Sequence, residues 1–272
     1  LRAILPLVVY KAFGGDPADA VPLSAAVEVL HNAALIHVDA IDRVRSRRGH
    51  ETVWVRYGLD QAINAGDGTL FAALKCIDRL RQPPAIKQRL SSLVVDRMMS
   101  VIDAQVNAVR SDAKQPGKPD NSVDLARDRT GGLFALSVVG AAILAKADSE
   151  VTDQLSRIGG DLGVIFQVQD ELLGIVGGFT RHQRGATIMD GKAGLIVGHC
   201  MRHSDERGRA LLQTIFEKGS EQTTEADIHR AIGLLRDTGS LTHGVELIES
   251  HHKQLLATAA DLPHTDLKRL LH

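Results

Sequence analysis

The chain has 272 residues and a formal net charge of −1, which indicates no global electrostatic preference for nucleic acid or for acidic membranes. Hydrophobic residues make up 44% of the sequence and aromatic residues only 3%. A core of Leu, Val, Ile and Ala is therefore expected, and this composition favours helix over strand. The two cysteines, Cys76 and Cys200, are too few for a disulfide framework or a thiolate metal site, and we expect both to be reduced core residues.

The ends and the hydropathy of the chain bear on its compartment. No apolar run reaches the ~18 residues that span a bilayer, and no signal peptide is visible. We therefore expect a soluble, cytoplasmic protein without a membrane span. The sequence begins at Leu1 without Met, within a predicted helix, so we also expect that residues upstream are missing.

Helical periodicity dominates the sequence, and no convincing run of alternating strand residues interrupts it. Pro22-Leu23-Ser24 is predicted to open the first long helix, residues 111–121 a loop rich in helix breakers, and residues 174–191 a mobile loop. The helices are predicted, in chain order, at 25–44, 61–79, 85–109, 123–145 and 149–173, with at least three more between 192 and 272. We predict one all-α domain over residues 1–272.

The first predicted helix carries an acidic pair near its end. Asp39 and Asp42 are spaced i, i+3, so both are expected on one helix face, among apolar neighbours. A solvated surface pair with Arg43 or Arg45 remains an alternative. Arg47-Arg48-Gly49 follows, and two guanidinium groups there could each hold phosphate oxygens in a forked geometry, although a solvated turn would look the same in sequence.

A second acidic pair, Asp170 and Glu171, follows an apolar run on a long predicted helix, with Gln167 one turn earlier. Gln167 could orient a carboxylate or a metal-bound water. Alone, such a pair is most often structural. Because buried carboxylates are costly without compensation, two acidic segments facing each other would make a cage for hard cations, which take oxygen ligands and bridge to phosphates. The two segments together suggest diphosphate chemistry.

Further short blocks accompany these segments in chain order, and together they resemble the trans-isoprenyl diphosphate synthase (polyprenyl synthetase) family over almost the whole chain. The blocks are Leu1-Arg2-Ala3, Glu28-Val29-Leu30-His31, His37 to Asp42, Arg47-Arg48-Gly49, Thr52, Ala62-Ile63-Asn64-Ala65-Gly66-Asp67, Arg129-Thr130-Gly131-Gly132-Leu133-Phe134, Phe166 to Leu173, and Asp190-Gly191-Lys192.

The resemblance implies an isoprenoid-synthase-type bundle of about ten or more helices around a central cavity, and a homodimer packed through helices. It also implies that two Asp-rich motifs bind Mg²⁺ ions, which hold an allylic prenyl diphosphate. Ionisation would leave an allylic cation and pyrophosphate, and isopentenyl diphosphate would attack the cation before losing a proton. The cations and basic side chains would neutralise charge on the leaving oxygen.

Position by position, the resemblance assigns roles to individual residues. The catalytic carboxylates and metal ligands would be Asp39, Asp42, Asp170 and Glu171. The diphosphate-binding side chains would be Arg2, His31, Arg47, Arg48, Arg129, Thr130, Gln167, His182 and Lys192. Ala33 and Ala34 stand where short-chain members carry bulky aromatics, so a product of C20 or longer is expected, unless these alanines serve close helix packing.

Several positions depart from the family pattern, and they fall on the chemistry rather than on the scaffold. Val38 stands in place of the first Asp of the first motif, and Gly174 in place of the last Asp of the second. Arg129 replaces a Lys, His182 a loop Lys and Thr187 a nearby Asp. Elongation of a prenyl diphosphate is the leading hypothesis. A terpene synthase or cyclase, transfer to a non-standard acceptor, and a catalytically silent regulatory subunit remain open.

Overall fold

The computed structural model describes residues 2–112, 122–178, 184–189, 191, 194–219 and 222–271. Within these ranges the chain forms thirteen α-helices and one short hairpin, which confirms the predicted all-α class. The elements are α1 Leu5–Ala12, α2 Pro17–Ile41, β1 Ser46–Arg47, β2 His50–Glu51, α3 Val53–Tyr57, α4 Leu59–Asp78, α5 Pro84–Asp112, α6 Ser122–Leu144, α7 Ser149–Val176, α8 Ala186–Met189, α9 Leu195–His203, α10 Glu206–Glu217, α11 Glu225–Asp237, α12 Ser240–Ala260 and α13 Thr265–Leu271.

The contacts of the chain divide it into two compact units. Unit 1 comprises Leu1–Met99, Gly132–Gly159 and Thr258–His272, and unit 2 comprises Ser100–Gly131 and Gly160–Ala257. Four helices, α5, α6, α7 and α12, each contribute residues to both units. Each unit has buried apolar residues of its own. The expectation of one domain over residues 1–272 stays a prediction.

Helix α2 organises unit 1, where it packs against α1 and α4. Its buried apolar side chains recur at helical spacing, at Ala20, Leu23, Val27, Leu30 and Ala33. Small residues on this stripe let the neighbouring helices approach closely. The stripe thus explains why the helix runs unbroken up to the first acidic pair.

Both ends of α2 differ from the sequence prediction. Pro22 does not open the helix: Asp16 caps Ala18 N at 3.0 Å and Pro17 occupies the first turn, where a missing N–H costs nothing. Pro22 lies inside the helix because the buried stripe continues past it. The far end lies at Ile41 rather than 44, since Arg43 adopts a left-handed φ of 56° and terminates the helix.

Helix α2 is also long and apolar enough to cross a membrane, judged by length and composition alone. Buried core helices of soluble proteins pass the same test. The strict run of apolar residues expected of a span is interrupted by Glu28, His31 and Asn32. We assign the helix to the core of unit 1 because it packs there against α1 and α4.

Unit 2 is built around a cluster of buried apolar side chains from α6 to α11. The cluster includes Val164, Val168 and Ile175 of α7, Ile196, Val197 and Cys200 of α9, Leu212 and Ile215 of α10, and Ile228 and Leu235 of α11. Because Ile175 belongs to this core, α7 extends to Val176, beyond the predicted end at residue 173. Part of the loop predicted at 174–191 is therefore helical, in α7 and α8, and part of it lies outside the described residues.

Candidate active site

A β-hairpin after α2, absent from the sequence prediction, carries Arg47 and Arg48 in unit 1. Strands β1 and β2 pair antiparallel, with Arg47 opposite His50. The two-residue turn between them is Arg48-Gly49, and both residues have positive φ, 54° and 81°. Such a turn matches the twist of the flanking strands. Arg47 and Arg48 are therefore held on defined backbone rather than on an irregular turn.

Side chains beyond the hairpin fix its base. Thr52, which is buried, donates its hydroxyl to the Val44 carbonyl at 2.7 Å, and Trp54 Nε1 donates to the same oxygen at 2.7 Å. The guanidinium carbons of Arg43 and Arg45 lie 5.5 Å and 5.9 Å from the centroid of the Trp54 ring, within the range of a cation–π interaction. These contacts fix the path of the chain from α2 into the hairpin.

Asp39 is the buried carboxylate of the first acidic segment, and it contacts Arg47. Arg47 Nε lies 2.9 Å from each carboxylate oxygen of Asp39, and Arg47 Nη2 lies 2.5 Å from Oδ1. The Asp39 side chain is 8% exposed and that of Arg47 is 36% exposed. This hydrogen bonding raises the pKa of Arg47 above its ordinary value. The alternative of a surface pair with Arg43 or Arg45 is wrong for Asp39.

Asp42 differs from Asp39 in burial. It caps the C-terminal end of α2, with its backbone N–H donating to the Val38 carbonyl at 2.8 Å, and the residue is exposed. The i, i+3 spacing predicted a common face for the two carboxylates. The helix ends at Ile41, so Asp42 lies one residue beyond it, yet the charges of both Asp39 and Asp42 raise the pKa of Arg47. The common face stays a prediction.

The residues assigned to the second diphosphate lie around His31 in unit 1. Desolvation and the charges of Arg2, Arg48 and Arg47 together lower the pKa of His31 to about 4, against the opposing effect of Glu28. His31 is therefore neutral at pH 7, and its ring is surrounded by guanidinium charge. Arg2 also lies over the Phe134 ring, with its guanidinium carbon 4.8 Å from the centroid. The structure thus brings together Arg2, His31, Arg47 and Arg48.

The positions predicted to set product length lie on α2. Ala33 is fully buried, and Ala34 is half-buried. One turn further on, the ring of His37 lies against Gly66 of α4, where an added Cβ would meet His37 Nε2 at 2.1 Å. Gly66 therefore lets α4 pack closely against His37 of α2. The roles of Ala33 and Ala34 stay predictions.

In unit 2, two of the predicted diphosphate-binding residues hydrogen-bond to each other. Thr130 Oγ1 donates to Gln167 Oε1 at 2.9 Å. The backbones of α6 and α7 approach closely beside this bond, since a Cβ on Gly163 would lie 2.1 Å from the Gly131 Cα. The Gln167 oxygen thus accepts from Thr130, a partner that the sequence analysis did not foresee.

Glu171 is directed away from solvent, towards the N-terminus of α9. Its Oε1 accepts from Ile196 N at 3.0 Å and from Val197 N at 3.2 Å, whereas its Oε2 is buried without a hydrogen-bond partner among the described residues. Burial raises the pKa of Glu171 to about 7, although the helix N–H groups and the charge of Arg129 act to lower it. Glu171 therefore caps α9, whose own N-cap residue is Gly194.

Gly174 and Thr187, two positions that depart from the expected family pattern, are in contact in unit 2. A Cβ on Gly174 would lie 2.2 Å from the Thr187 Oγ1 of α8, so a side chain at 174 cannot coexist with Thr187 in this position. Asp170, by contrast, is exposed on α7, and it is the exposed carboxylate of the second segment.

The four predicted metal ligands fit Mg²⁺ unequally. Asp42 and Asp170 expose their carboxylates, the oxygen donors that hard cations prefer. Asp39 is engaged by Arg47 and Glu171 by α9. Across the described ranges, no three side chains of His, Cys, Asp or Glu converge to hold a metal ion. The facing of the two acidic segments, and metal binding by all four, stay predictions.

Some predicted residues lie outside the described part of the chain, and some described ones were missed. His182 and Lys192 belong to the first group. Among the missed ones, Asp161 of α7 accepts from His251 Nδ1 of α12 at 2.9 Å and pairs with Arg127 Nη2 at 3.0 Å. An isolated Asp in the apolar stretch of α7 was the available signal, because a buried carboxylate requires such partners.

Comparison with solved structures establishes the fold class. A geranylgeranyl pyrophosphate synthetase from Pyrococcus horikoshii superposes with a TM-score of 0.87 at 27% sequence identity, covering 100% of this chain and 84% of that chain. The chain therefore has the all-helical fold of the isoprenyl diphosphate synthases.

Sequence comparison then gives the family. The family model described as polyprenyl synthetase matches residues 1–235. A geranylgeranyl diphosphate synthase of Mycobacterium tuberculosis is 32% identical over 244 residues, 88% of this chain and 68% of the relative. A short chain isoprenyl diphosphate synthase of Methanocaldococcus jannaschii is 29% identical over 238 residues, 87% of this chain and 72% of the relative. The chain belongs to the polyprenyl synthetase family and is an enzyme of the prenyltransferase class.

Proposed function

We propose that this chain condenses an allylic prenyl diphosphate with isopentenyl diphosphate in a Mg²⁺-dependent reaction, and that the product is a trans-prenyl diphosphate of C20 or longer. The observation that carries the proposal is the group formed by Arg2, His31, Arg47 and Arg48 in unit 1. Relatives named as geranylgeranyl, farnesyl and geranylfarnesyl diphosphate synthases support it.

The chemistry of that group suits diphosphates. Guanidinium groups stay charged and hold phosphate oxygens in a planar fork, and three of them act on the neutral ring of His31. An enzyme that only cyclises its substrate has no need for the positions assigned to isopentenyl diphosphate, namely Arg2, His31 and Arg48. Their presence favours prenyl transfer over cyclisation.

Asp42 in unit 1 and Asp170 in unit 2 are the exposed carboxylates that we assign to Mg²⁺. When bound, Mg²⁺ would help neutralise the charge that develops on the departing diphosphate. The arginines would contribute to the same end, because preorganised positive groups stabilise a transition state in which negative charge develops.

The proposed product length rests on the absence of bulky side chains at Ala33 and Ala34. Burial of Ala33 is compatible both with close helix packing and with an open cavity that admits a longer product. Product length is therefore the part of the proposal that the assay below must decide.

The test is to incubate the protein with Mg²⁺, geranyl or farnesyl diphosphate and labelled isopentenyl diphosphate, and then to identify the products. We expect labelled diphosphates of C20 or longer. Hydrocarbons or alcohols formed without isopentenyl diphosphate would instead identify a cyclase. Absence of turnover at high Mg²⁺, with activity only after mixing with another synthase, would identify a silent subunit and refute the proposal.

We also propose that the enzyme is a homodimer. Unit 1 exposes large apolar side chains on α3, α4 and α5, at Tyr57, Leu59, Ile63, Phe71, Val95 and Met99. Exposed apolar side chains mark protein–protein interfaces where they form one patch, and we propose that these do. Light scattering should give a molar mass of twice the 29.3 kDa of the chain, and a mass of one chain at micromolar concentration would contradict a stable dimer.

A further inference from the structure

We propose that Asp39 is a positioning residue for Arg47, and that it orients this guanidinium group for the substrate diphosphate instead of serving as a metal ligand. The inference rests on the proposed function and refines the role of one of its residues. It is carried by the geometry of the Asp39–Arg47 pair in unit 1, together with Val38 and the hairpin.

The contacts of Asp39 leave little of its carboxylate for a cation. A carboxylate offers roughly four acceptor positions, and three contacts with Arg47 occupy both oxygens. The side chain is 8% exposed, so a hydrated cation would have to displace Arg47 to reach it. Mg²⁺ loses its water ligands reluctantly, which makes this exchange unfavourable.

The neighbouring positions, 38 and 42, support the same assignment of Asp39. Val38 places an apolar side chain directly before Asp39, so no adjacent carboxylate shares a cation with it. Asp42 is exposed beyond the end of the helix, whereas Asp39 is buried. Asp39 is thus the buried carboxylate of this segment that hydrogen-bonds to the guanidinium group, whereas Asp42 is the exposed one.

Arg47 is placed to bind an anion while Asp39 holds it. Its Nε and Nη2 atoms contact Asp39. Its side chain remains 36% exposed. Since the hairpin turn and Trp54 fix its backbone, Asp39 is the group that fixes the direction of the guanidinium plane.

The experiment compares Asp39→Asn with the matched variant Asp42→Asn, using two probes that require no turnover. Inorganic pyrophosphate is titrated calorimetrically in the presence of a chelator, and Mn²⁺ binding is counted by electron paramagnetic resonance in the absence of pyrophosphate. For Asp39→Asn we expect affinity for pyrophosphate to fall about tenfold, as for loss of one charge-assisted hydrogen-bonded pair. The number and affinity of bound Mn²⁺ ions should match wild type, whereas Asp42→Asn should weaken Mn²⁺ binding.

Kinetics and a second variant add independent readouts. Asp39→Asn should raise KM for the allylic diphosphate about tenfold with a smaller change in kcat, because uniform binding is lost. Arg47→Lys keeps the charge but loses the fork, and it should show the same loss of pyrophosphate affinity. Asp39→Asn added to Arg47→Lys should cause no further loss. Fluorescence of Trp54, the single tryptophan, checks that the hairpin is intact.

Three results would overturn the proposal. The first is loss of a Mn²⁺ ion, or a weakening of its binding, in Asp39→Asn to the extent seen in Asp42→Asn. The second is an additive effect in the double variant, and the third is wild-type pyrophosphate affinity in Arg47→Lys, a test that remains if Asp39→Asn does not fold. Failure of the wild-type enzyme to turn over substrate would refute the proposed function, but it would leave these titrations unaffected.

Discussion

Asp170→Asn should lower kcat/KM for prenyl transfer about a thousandfold, the largest effect we expect from a single substitution on activity. Asp170 is the exposed carboxylate of the second acidic segment, since Glu171 is buried against α9 and position 174 is a glycine. Substitution by Asn keeps the shape but removes the charge on which binding of a hard cation depends. Steady-state kinetics at saturating and limiting Mg²⁺ would measure the effect.

The control for this variant is Asp153→Asn, an exposed carboxylate on the same helix, α7. It should leave kcat/KM within about twofold of wild type, because exposed surface substitutions rarely perturb a fold. The Mg²⁺ concentration for half-maximal rate should rise in Asp170→Asn and stay constant in the control. A wild-type rate for Asp170→Asn at every Mg²⁺ concentration would exclude Asp170 from the site.

The helices were the predictable part of this molecule. Apolar residues at helical spacing placed α4 to within two residues at either end, and α5, α6 and α7 to within three. The start of α2 was missed because Pro22 was taken as a boundary, whereas Asp16 and Pro17 already supply the cap and first turn. The capping residues therefore set the start of the helix. A proline further along does not end it, because the buried apolar stripe continues past that proline.

The roles of the carboxylates were harder to predict, because a motif fixes residue types and not the directions of their side chains. Neighbouring helical residues point about 100° apart, and this angle alone does not decide which of Asp170 and Glu171 is buried. That Glu171 caps α9 depends on Gly194, a contact between positions distant in sequence, which no local pattern encodes.

The hairpin shows a second limit. A non-glycine residue with positive φ is uncommon, and nothing in the sequence marked Arg48 as one. Its conformation follows from the pairing of Ser46 with Glu51 and of Arg47 with His50. The pair between Asp39 and Arg47 arises only after that hairpin has formed, so it could not be inferred from spacing.

Glu171→Gln should change the pH dependence of stability. The pKa of Glu171 is raised from its ordinary 4.5 to about 7 in the folded protein. Between these pH values the folded state holds a proton that the unfolded state has released, so the contribution of this group to stability falls as pH rises through the window. The loss is complete above about pH 7, and it amounts to on the order of 3 kcal/mol at ~1.4 kcal/mol per pKa unit.

Gln resembles the protonated acid in shape, and its Oε1 can still accept from the α9 backbone, but it does not titrate. The free energy of unfolding of Glu171→Gln relative to wild type should therefore increase by on the order of 3 kcal/mol between pH 4.5 and 8. Urea unfolding at several pH values measures this difference. Glu246→Gln, at an exposed position of α12, should keep the wild-type pH dependence. If Glu171→Gln also kept the wild-type pH dependence, Glu171 would be charged in the folded protein at pH 5. Its carboxylate would then not be buried against α9.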